Sequence, residues 1–190
     1  MSLIDPHKVH LTGENSFLRL RARDDGPETT TCSHWRALLS PAGAGQVLFV
    51  KSDATGGAIR IFSDNVALVR WLQPIEDTVN RKLFADPGLP VVSARFSRSG
   101  DLNAGYSEIV ESTDGKITLS WRDFGEPFLI RFEPNNPMTG AWGVFSCLVP
   151  ARTASLNVAG KLASGATYPE ALAGHPSSMS CVAWSETWLR

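Results

Sequence analysis

Cysteine is scarce in this chain, and its distribution excludes a disulfide framework. The 190 residues include three cysteines, Cys32, Cys147 and Cys181, which are odd in number and widely separated. Their spacing also differs from the close pairs that are typical of structural zinc sites. We therefore expect reduced, buried thiols and no bound metal.

Long apolar runs and an excess of one charge are lacking as well. No stretch approaches the roughly 20 apolar residues of a membrane-spanning helix. The first residues lack the basic and apolar regions of a secretory signal. The net charge is −1, so no general field attracts nucleic acid. These absences predict a soluble, cytoplasmic protein with no membrane span and no nucleic-acid partner, and they leave a homo-oligomer open.

Motifs for cofactor-dependent or covalent catalysis are also missing. Gly43 and Gly45 precede a strand-like segment, whereas a dinucleotide fingerprint needs a third glycine and a following helix. No serine lies in a GxSxG elbow. The sequence therefore predicts no cofactor and gives covalent catalysis no support without excluding it, and the ionisable and aromatic side chains are the better candidates for chemistry.

Short alternating segments separated by turn residues fill most of the chain. Examples are GQVLFVKS at 45–52, VVSARFSRS at 91–99, KITLSWRD at 116–123 and PFLIRFEP at 127–134. Alternation with a period of two residues is typical of strands in an antiparallel barrel or sandwich. The TDG turn at 113–115 predicts that the strands on either side of it pair directly.

One segment, SDNVALVRWLQPIEDTVNRKLF at 63–84, interrupts the strand pattern. Its apolar residues recur at helical spacing, and Ser63 or Asp64 is a candidate N-cap. Pro74 should end or kink the helix because its ring removes a backbone donor. We predict one or two short helices near 64–83, and a further brief helical turn in PEALAGHP at 169–176.

About ten candidate strands must protect their edges, and closure into a barrel is the general solution. We therefore predict an all-β fold, with residues 1–190 forming a single antiparallel β-barrel domain that carries the helical insertion near 64–83. A two-sheet sandwich is the alternative. The predicted design resembles the calycins, the lipocalin-like family of barrels that includes the two-domain carotenoid-hydratase-like proteins. The resemblance lies in the architecture, and it assigns no role to individual residues.

Aromatic and basic side chains of the predicted strands are candidate ligand contacts. Flat apolar rings make good walls for a hydrophobic ligand, although core packing is the more common role of buried aromatic residues. Guanidinium groups can orient a polar group of the ligand. The candidate ligand-binding residues are Trp121, Trp142, Trp184, Trp188, Arg95 and Arg131.

The chain closes with VAWSETWLR, in which a carboxylate lies between two tryptophans. On a regular strand, Trp184, Glu186 and Trp188 share one face, and we expect this face to form one end of an internal pocket. Apolar walls would raise the pKa of Glu186 and prepare a general acid. On an exposed strand, the same carboxylate would be a solvated surface group.

Three further residues, Tyr106, Glu108 and His34, are candidate proton-transfer groups. The favoured function is the binding of a small, largely apolar ligand in a barrel cavity. The alternative is a cofactor-independent lyase, isomerase or hydratase that uses acid–base residues in the same cavity. A third reading is an interaction domain whose barrel is filled by side chains.

Overall fold

The computed structural model describes residues 8–79, 82–137 and 139–189. Within these ranges the chain forms 14 β-strands and one α-helix, α1 (Val66–Val79). The strands are β1 (Val9–Arg21), β2 (Glu28–Leu39), β3 (Gly45–Ser52), β4 (Ile59–Ser63), β5 (Val91–Asp101), β6 (Gly105–Ser112), β7 (Gly115–Phe124), β8 (Phe128–Phe132), β9 (Gly143–Val158), β10 (Lys161–Leu162), β11 (Pro169–Leu172), β12 (His175–Ser178), β13 (Ser180–Ala183) and β14 (Glu186–Leu189).

The main sheet closes into a nine-stranded barrel. Its strands follow in chain order from β1 to β7, and the second half of β9 pairs with β7. The first half of β9 pairs with β13 and β14, which occupy one position in the barrel and pair with β1. The prediction of an all-β barrel is confirmed, and the sandwich alternative is excluded because the sheet closes on itself.

The barrel is not wholly antiparallel, because β4 and β5 run parallel and Phe62 lies opposite Val92. A parallel pair needs a crossover connection, and α1 forms part of it. The helix lies within the predicted segment 64–83, of which residues 80 and 81 are outside the described ranges. Asn65 caps it, since its Oδ1 accepts from the backbone N–H of Leu68 at 3.1 Å, and Pro74 lies inside it.

Apolar side chains fill much of the barrel interior. Alternate residues of the strands point inward, as the period of a β-strand requires. Those with 0% exposure include Leu18, Leu48, Val50, Val110, Leu119, Trp121 and Leu156. The interior at this level is therefore a packed core.

A second apolar cluster lies outside the barrel, between α1 and the outer faces of β2, β3 and β4. Leu68 and Leu72 of the helix pack in this cluster with Trp35, Phe49 and Ile61 of the strands. No helix in the described part of the chain is long and apolar enough to cross a membrane.

Residues 169–178 form a β-hairpin rather than the predicted helical turn. Strands β11 and β12 pair antiparallel, and Leu172 lies opposite His175. The two residues between them, Ala173 and Gly174, have φ values of 51° and 82°. Two consecutive left-handed residues are what a two-residue hairpin turn requires.

Candidate functional site

Ionisable and aromatic residues converge inside one end of the barrel. We call this group the barrel-end cluster. Its members come from β1, β2, β5, β6 and the segment between β13 and β14, and those on strands share the inward face with core residues. They are Glu14, His34, Arg36, Arg98, Tyr106, Glu108 and Trp184.

Glu108 is the centre of the barrel-end cluster and is 1% exposed. The Tyr106 hydroxyl donates a hydrogen bond to its Oε1, and Nη2 of Arg36 lies 3.3 and 3.1 Å from its two oxygens. Burial raises the pKa of Glu108, and the contacts with Tyr106 and Arg36 oppose this rise. Burial and the Glu108 charge also raise the pKa of Tyr106. Tyr106 is therefore protonated near neutral pH and donates its hydroxyl proton to the Glu108 carboxylate.

Glu14 closes the cluster on the solvent side. Nη1 of Arg98 donates to both Glu14 oxygens at 3.2 and 3.1 Å and lies 3.4 Å from the Tyr106 hydroxyl. Nε of Arg36 lies 3.4 Å from Glu14 Oε2 but forms no aligned hydrogen bond. The side chain of Arg98 is 41% exposed, so the cluster meets solvent on this side.

His34 lies deeper and is 1% exposed. Burial, together with the charge of Arg36, lowers the pKa of His34 to about 3, so the imidazole is neutral near pH 7. Its Nδ1 lies 3.9 Å from Oε1 of Glu108, and its Nε2 has no hydrogen-bond partner. Nε1 of Trp184 is also buried without a partner. Buried polar atoms are normally paired, so each of these two atoms retains an unused capacity for a hydrogen bond.

A second candidate site lies on the outside of the barrel. We call it the outer groove, and its volume is about 350 Å³. It runs between the outer faces of β1 and β2, the strands β8 and β9, and the β11 strand of the hairpin. Its apolar walls are Phe17, Ile130, Phe132, Val144, Leu148, Leu172 and Trp188, and its polar lining includes Asn15, Ser33, Arg19, Glu170 and Glu186.

Glu186 lies in this groove and is 6% exposed. The indole N–H of Trp188 donates to its Oε1 at 2.7 Å. Burial raises the pKa of Glu186, whereas the neighbouring side chains of Ser146, Trp188 and Asn15 oppose the rise. The hydroxyl of Ser146 is itself buried and has no aligned hydrogen bond.

A second carboxylate, Glu76 of α1, lies behind the groove and is 0% exposed. Ser33 donates to its Oε1 at 2.7 Å, and the indole N–H of Trp35 donates to the same oxygen. The Ser33 hydroxyl also lies 3.1 Å from Asn15 Oδ1. Ser33 therefore connects the helix carboxylate to the polar lining of the groove.

The structure separates residues that the sequence placed on one face. Trp184 lies inside the barrel, with its ring centroid 5.3 Å from that of Tyr106. Glu186 and Trp188 lie outside, because β13 ends at Ala183 and β14 begins at Glu186. The residues between these strands are not in strand conformation, so the inward–outward alternation is interrupted there. As a result, Glu186 and Trp188 face outward, although a continuous strand would have pointed them inward. The expected internal pocket of these three residues is therefore corrected to two separate sites.

The remaining candidates are also dispersed. Trp121 is a core residue with 0% exposure, and its Nε1 donates to the carbonyl of Phe17 at 3.1 Å. Trp142 lies outside the barrel, with its ring centroid 6.4 Å from that of Trp188. Arg95 is an exposed residue of β5, between two inward-facing neighbours, and its side chain points away from the interior. Arg131 is exposed and forms an ion pair with Glu133 at 2.7 Å. Neither arginine lines the barrel interior, in contrast to the expectation.

Sequence reasoning missed Glu14, Arg36 and Arg98. A signal for Arg36 was present, because it is two residues from His34 on the same face of one strand. Arg98 lies on the same face of β5 as Phe96, which packs against the interior core. The missed groove residues Asn15 and Ser33 lie among other polar residues in strand-like segments, so no local signal distinguishes them.

The three cysteines are free thiols. Across the described ranges, no group of three or more histidine, cysteine, aspartate or glutamate side chains is arranged to hold a metal ion. No family model, curated protein or solved structure matches this chain in the comparisons with known proteins, so function must be inferred from the two sites themselves.

Proposed function

We propose that this β-barrel protein binds a small, largely apolar molecule and that the outer groove holds it. The observation that carries the proposal is an apolar-walled space of about 350 Å³ with a few convergent polar groups at its base. Small-molecule sites are usually concave, mostly apolar and of about 300–1,000 Å³. The volume corresponds to roughly a dozen water molecules, so the groove suits a short-chain or single-ring compound.

The groove is a better place for this molecule than the barrel interior. Side chains such as Leu48, Leu119 and Trp121 have 0% exposure and fill the centre of the barrel. Placing a ligand there would require displacing tightly packed core side chains, which is unfavourable. The groove needs no such rearrangement.

A neutral probe, hexan-1-ol, tests the proposal. Each methylene removed from water contributes about 0.8 kcal/mol, so six carbons give at most about 5 kcal/mol and a Kd in the millimolar range. Binding is followed by the indole N–H resonance of Trp188, because this ring lines the groove. The resonance is assigned with a Trp188→Phe variant. We expect a saturable shift.

A matched pair of variants locates the binding. Leu172→Trp places a large ring at the groove and should weaken hexan-1-ol binding at least tenfold. Leu162→Trp makes the same change at a side chain that is 64% exposed and away from the groove, and it should leave binding unchanged. Absence of a saturable shift, or equal losses in both variants, would contradict the proposal.

A second candidate function is acid–base catalysis at the barrel-end cluster. The observation that favours it is the neutral His34, with its unpartnered Nε2, beside the Tyr106–Glu108 hydrogen bond. Groups of this kind transfer protons in cofactor-independent lyases, isomerases and hydratases. Exchange of solvent deuterium into small carbonyl compounds, lost in Glu108→Gln and retained in the exposed control Glu111→Gln, would support it. Equal exchange in wild type and Glu108→Gln would reject it.

A further inference from the structure

The environment of Glu186 indicates which polar group the groove ligand carries. Its polar neighbours, Trp188, Asn15 and Ser146, are all neutral. Within the described ranges, no lysine, arginine or histidine forms an ion pair with it. We propose that the outer groove recognises a primary amine, whose ammonium group pairs with the Glu186 carboxylate while the apolar body lies along the groove walls. This inference rests on the proposed function of the groove.

A buried carboxylate needs a partner of opposite charge or must take up a proton. Glu186 is 6% exposed and receives one hydrogen bond of 2.7 Å, from Trp188. A ligand ammonium in the groove would supply the missing positive charge, because Glu186 lines this space. Pairing in such a shielded position is stronger than pairing at the surface.

The neighbouring acceptors match the donors of an ammonium group. An ammonium carries three N–H donors and no acceptor. Asn15 Oδ1 lies 3.1 Å from the Ser33 hydroxyl and retains a second lone pair. An amine nitrogen in the groove can therefore pair with the Glu186 carboxylate and with Asn15 Oδ1, since both residues line the groove.

The charges around the groove disfavour an acidic ligand. Glu76 lies behind the polar lining and interacts unfavourably with the charge of Glu186. Arg19, which lines the groove, is engaged in ion pairs with Glu170 and, at 3.7 Å, with Glu28. A ligand carboxylate would therefore approach a buried carboxylate with no uncommitted cation beside it. The same negative charges attract the ammonium group of an amine.

The apolar walls of the groove determine the size and polarity of the remaining part of the ligand. Ile130, Phe132 and Leu148 lie along the groove and offer no side-chain hydrogen bonds. A body of about six carbons fits the volume and leaves polar substituents only at the Glu186 end. The ligand class is thus a short-chain alkylamine or a similarly sized arylalkylamine.

The test uses three probes that share one body: hexan-1-amine, hexan-1-ol and hexanoate. Titrations near neutral pH follow the Trp188 indole resonance in the wild-type protein, in Glu186→Gln and in Glu111→Gln. Alkylamines are protonated under these conditions, because their pKa is close to that of lysine, about 10.4. Glu111 is an exposed residue of β6, so its replacement changes the net charge equally at a remote position.

We expect the amine to bind wild type at least tenfold more tightly than the alcohol, and hexanoate to bind more weakly than either. Glu186→Gln should lower the affinity for the amine at least tenfold and leave the affinity for the alcohol within threefold. Glu111→Gln should change neither affinity by more than twofold. Binding of the alcohol shows independently that Glu186→Gln is folded. If that variant does not fold, Glu186→Asp replaces it in the test. This change withdraws the carboxylate by one methylene and should produce the same selective loss of amine binding.

The outcomes separate this inference from the proposed function. If the alcohol binds and the amine binds no more tightly, the amine inference is overturned and the groove remains an apolar binding site. If no probe shifts the indole resonance, both are overturned. Equal loss of amine binding in Glu186→Gln and Glu111→Gln indicates general attraction by surface charge and overturns recognition by Glu186.

Discussion

Replacement of His34 by glutamine should flatten the dependence of folding stability on pH below neutrality. In the native barrel, burial and the neighbouring Arg36 charge lower the pKa of His34 from 6.5 to about 3. Between these values the unfolded chain binds a proton that the native protein does not. The protonation of His34 therefore leaves the free energy of unfolding unchanged above about pH 6.5 and lowers it as the pH falls towards about 3.

The size of the effect follows from the two pKa values. One pKa unit corresponds to 1.36 kcal/mol, so the free energy of unfolding falls by at most about 1.4 kcal/mol for each pH unit. Between about pH 7.5 and about pH 5 the expected loss is about 2 kcal/mol. Glu108 and Glu186 have raised pKa values and act in the opposite sense, but both remain in the variant. The difference between the two proteins therefore isolates His34.

Urea unfolding, followed by tryptophan fluorescence at about pH 5, 6 and 7.5, measures this difference. His175→Gln makes the same substitution at an exposed position of β12 and should retain the wild-type slope. Ring-nitrogen chemical shifts should show a neutral His34 at about pH 5. A protonated His34 at that pH, or an equal slope in wild type and His34→Gln, would refute the burial argument.

Two further predictions concern the core. Trp121→Phe removes a hydrogen bond of 3.1 Å to the Phe17 carbonyl from a side chain with 0% exposure. The variant should lower the free energy of unfolding by about 1–3 kcal/mol in urea denaturation. An unchanged midpoint would contradict the packing of the barrel centre. Burial raises the pKa of the Cys32 thiol, so Cys32 should react with iodoacetamide more slowly than the half-buried Cys147. Peptide mass spectrometry follows the alkylation, and equal rates in the native protein would contradict the burial of Cys32.

The strands and most of their neighbours follow from local sequence. The segment GQVLFVKS coincides with β3, because alternating apolar residues and flanking turn residues define its ends. The TDG turn joins β6 to β7, and Ser112 lies opposite Gly115 as the hairpin signal predicts. Helix α1 is recognisable from its apolar spacing. In each case the deciding interactions lie within a few residues in the chain.

The position of Glu186 depends instead on an irregularity that the local pattern does not reveal. Residues 184 and 185 leave the strand conformation, and each residue beyond them faces the opposite side from the one that simple alternation gives. The outer groove also requires β8 and the β11–β12 hairpin to lie beside β1, although these strands are distant in sequence. Packing between distant segments sets this arrangement, so alternation alone could not predict the groove.

The barrel-end cluster was predictable in its members but not in its assembly. Tyr106 and Glu108 share a face of β6, which the alternation of that strand indicates. His34 lies on β2, and the strands β3, β4 and β5 separate it from β6 along the sheet. Only closure of the barrel brings the imidazole to 3.9 Å from Glu108. The periodicity of the sequence indicates on which face of a strand a residue lies, whereas barrel closure and strand register determine which residues it contacts.

Strand β2 connects the two candidate sites, because its alternate residues supply both. Ser33 and Trp35 point outward to Glu76 behind the groove, whereas His34 and Arg36 point inward to the barrel-end cluster. A shift of one residue in its pairing would exchange the two sets. Gly13 permits the observed pairing at the bulge between β1 and β2, since any side chain at this position would overlap the carbonyl oxygen of Arg36. The register of one strand thus sets polar groups of both sites, so a ligand that displaces β2 from the groove side should also alter the contacts of His34 and Arg36 inside the barrel.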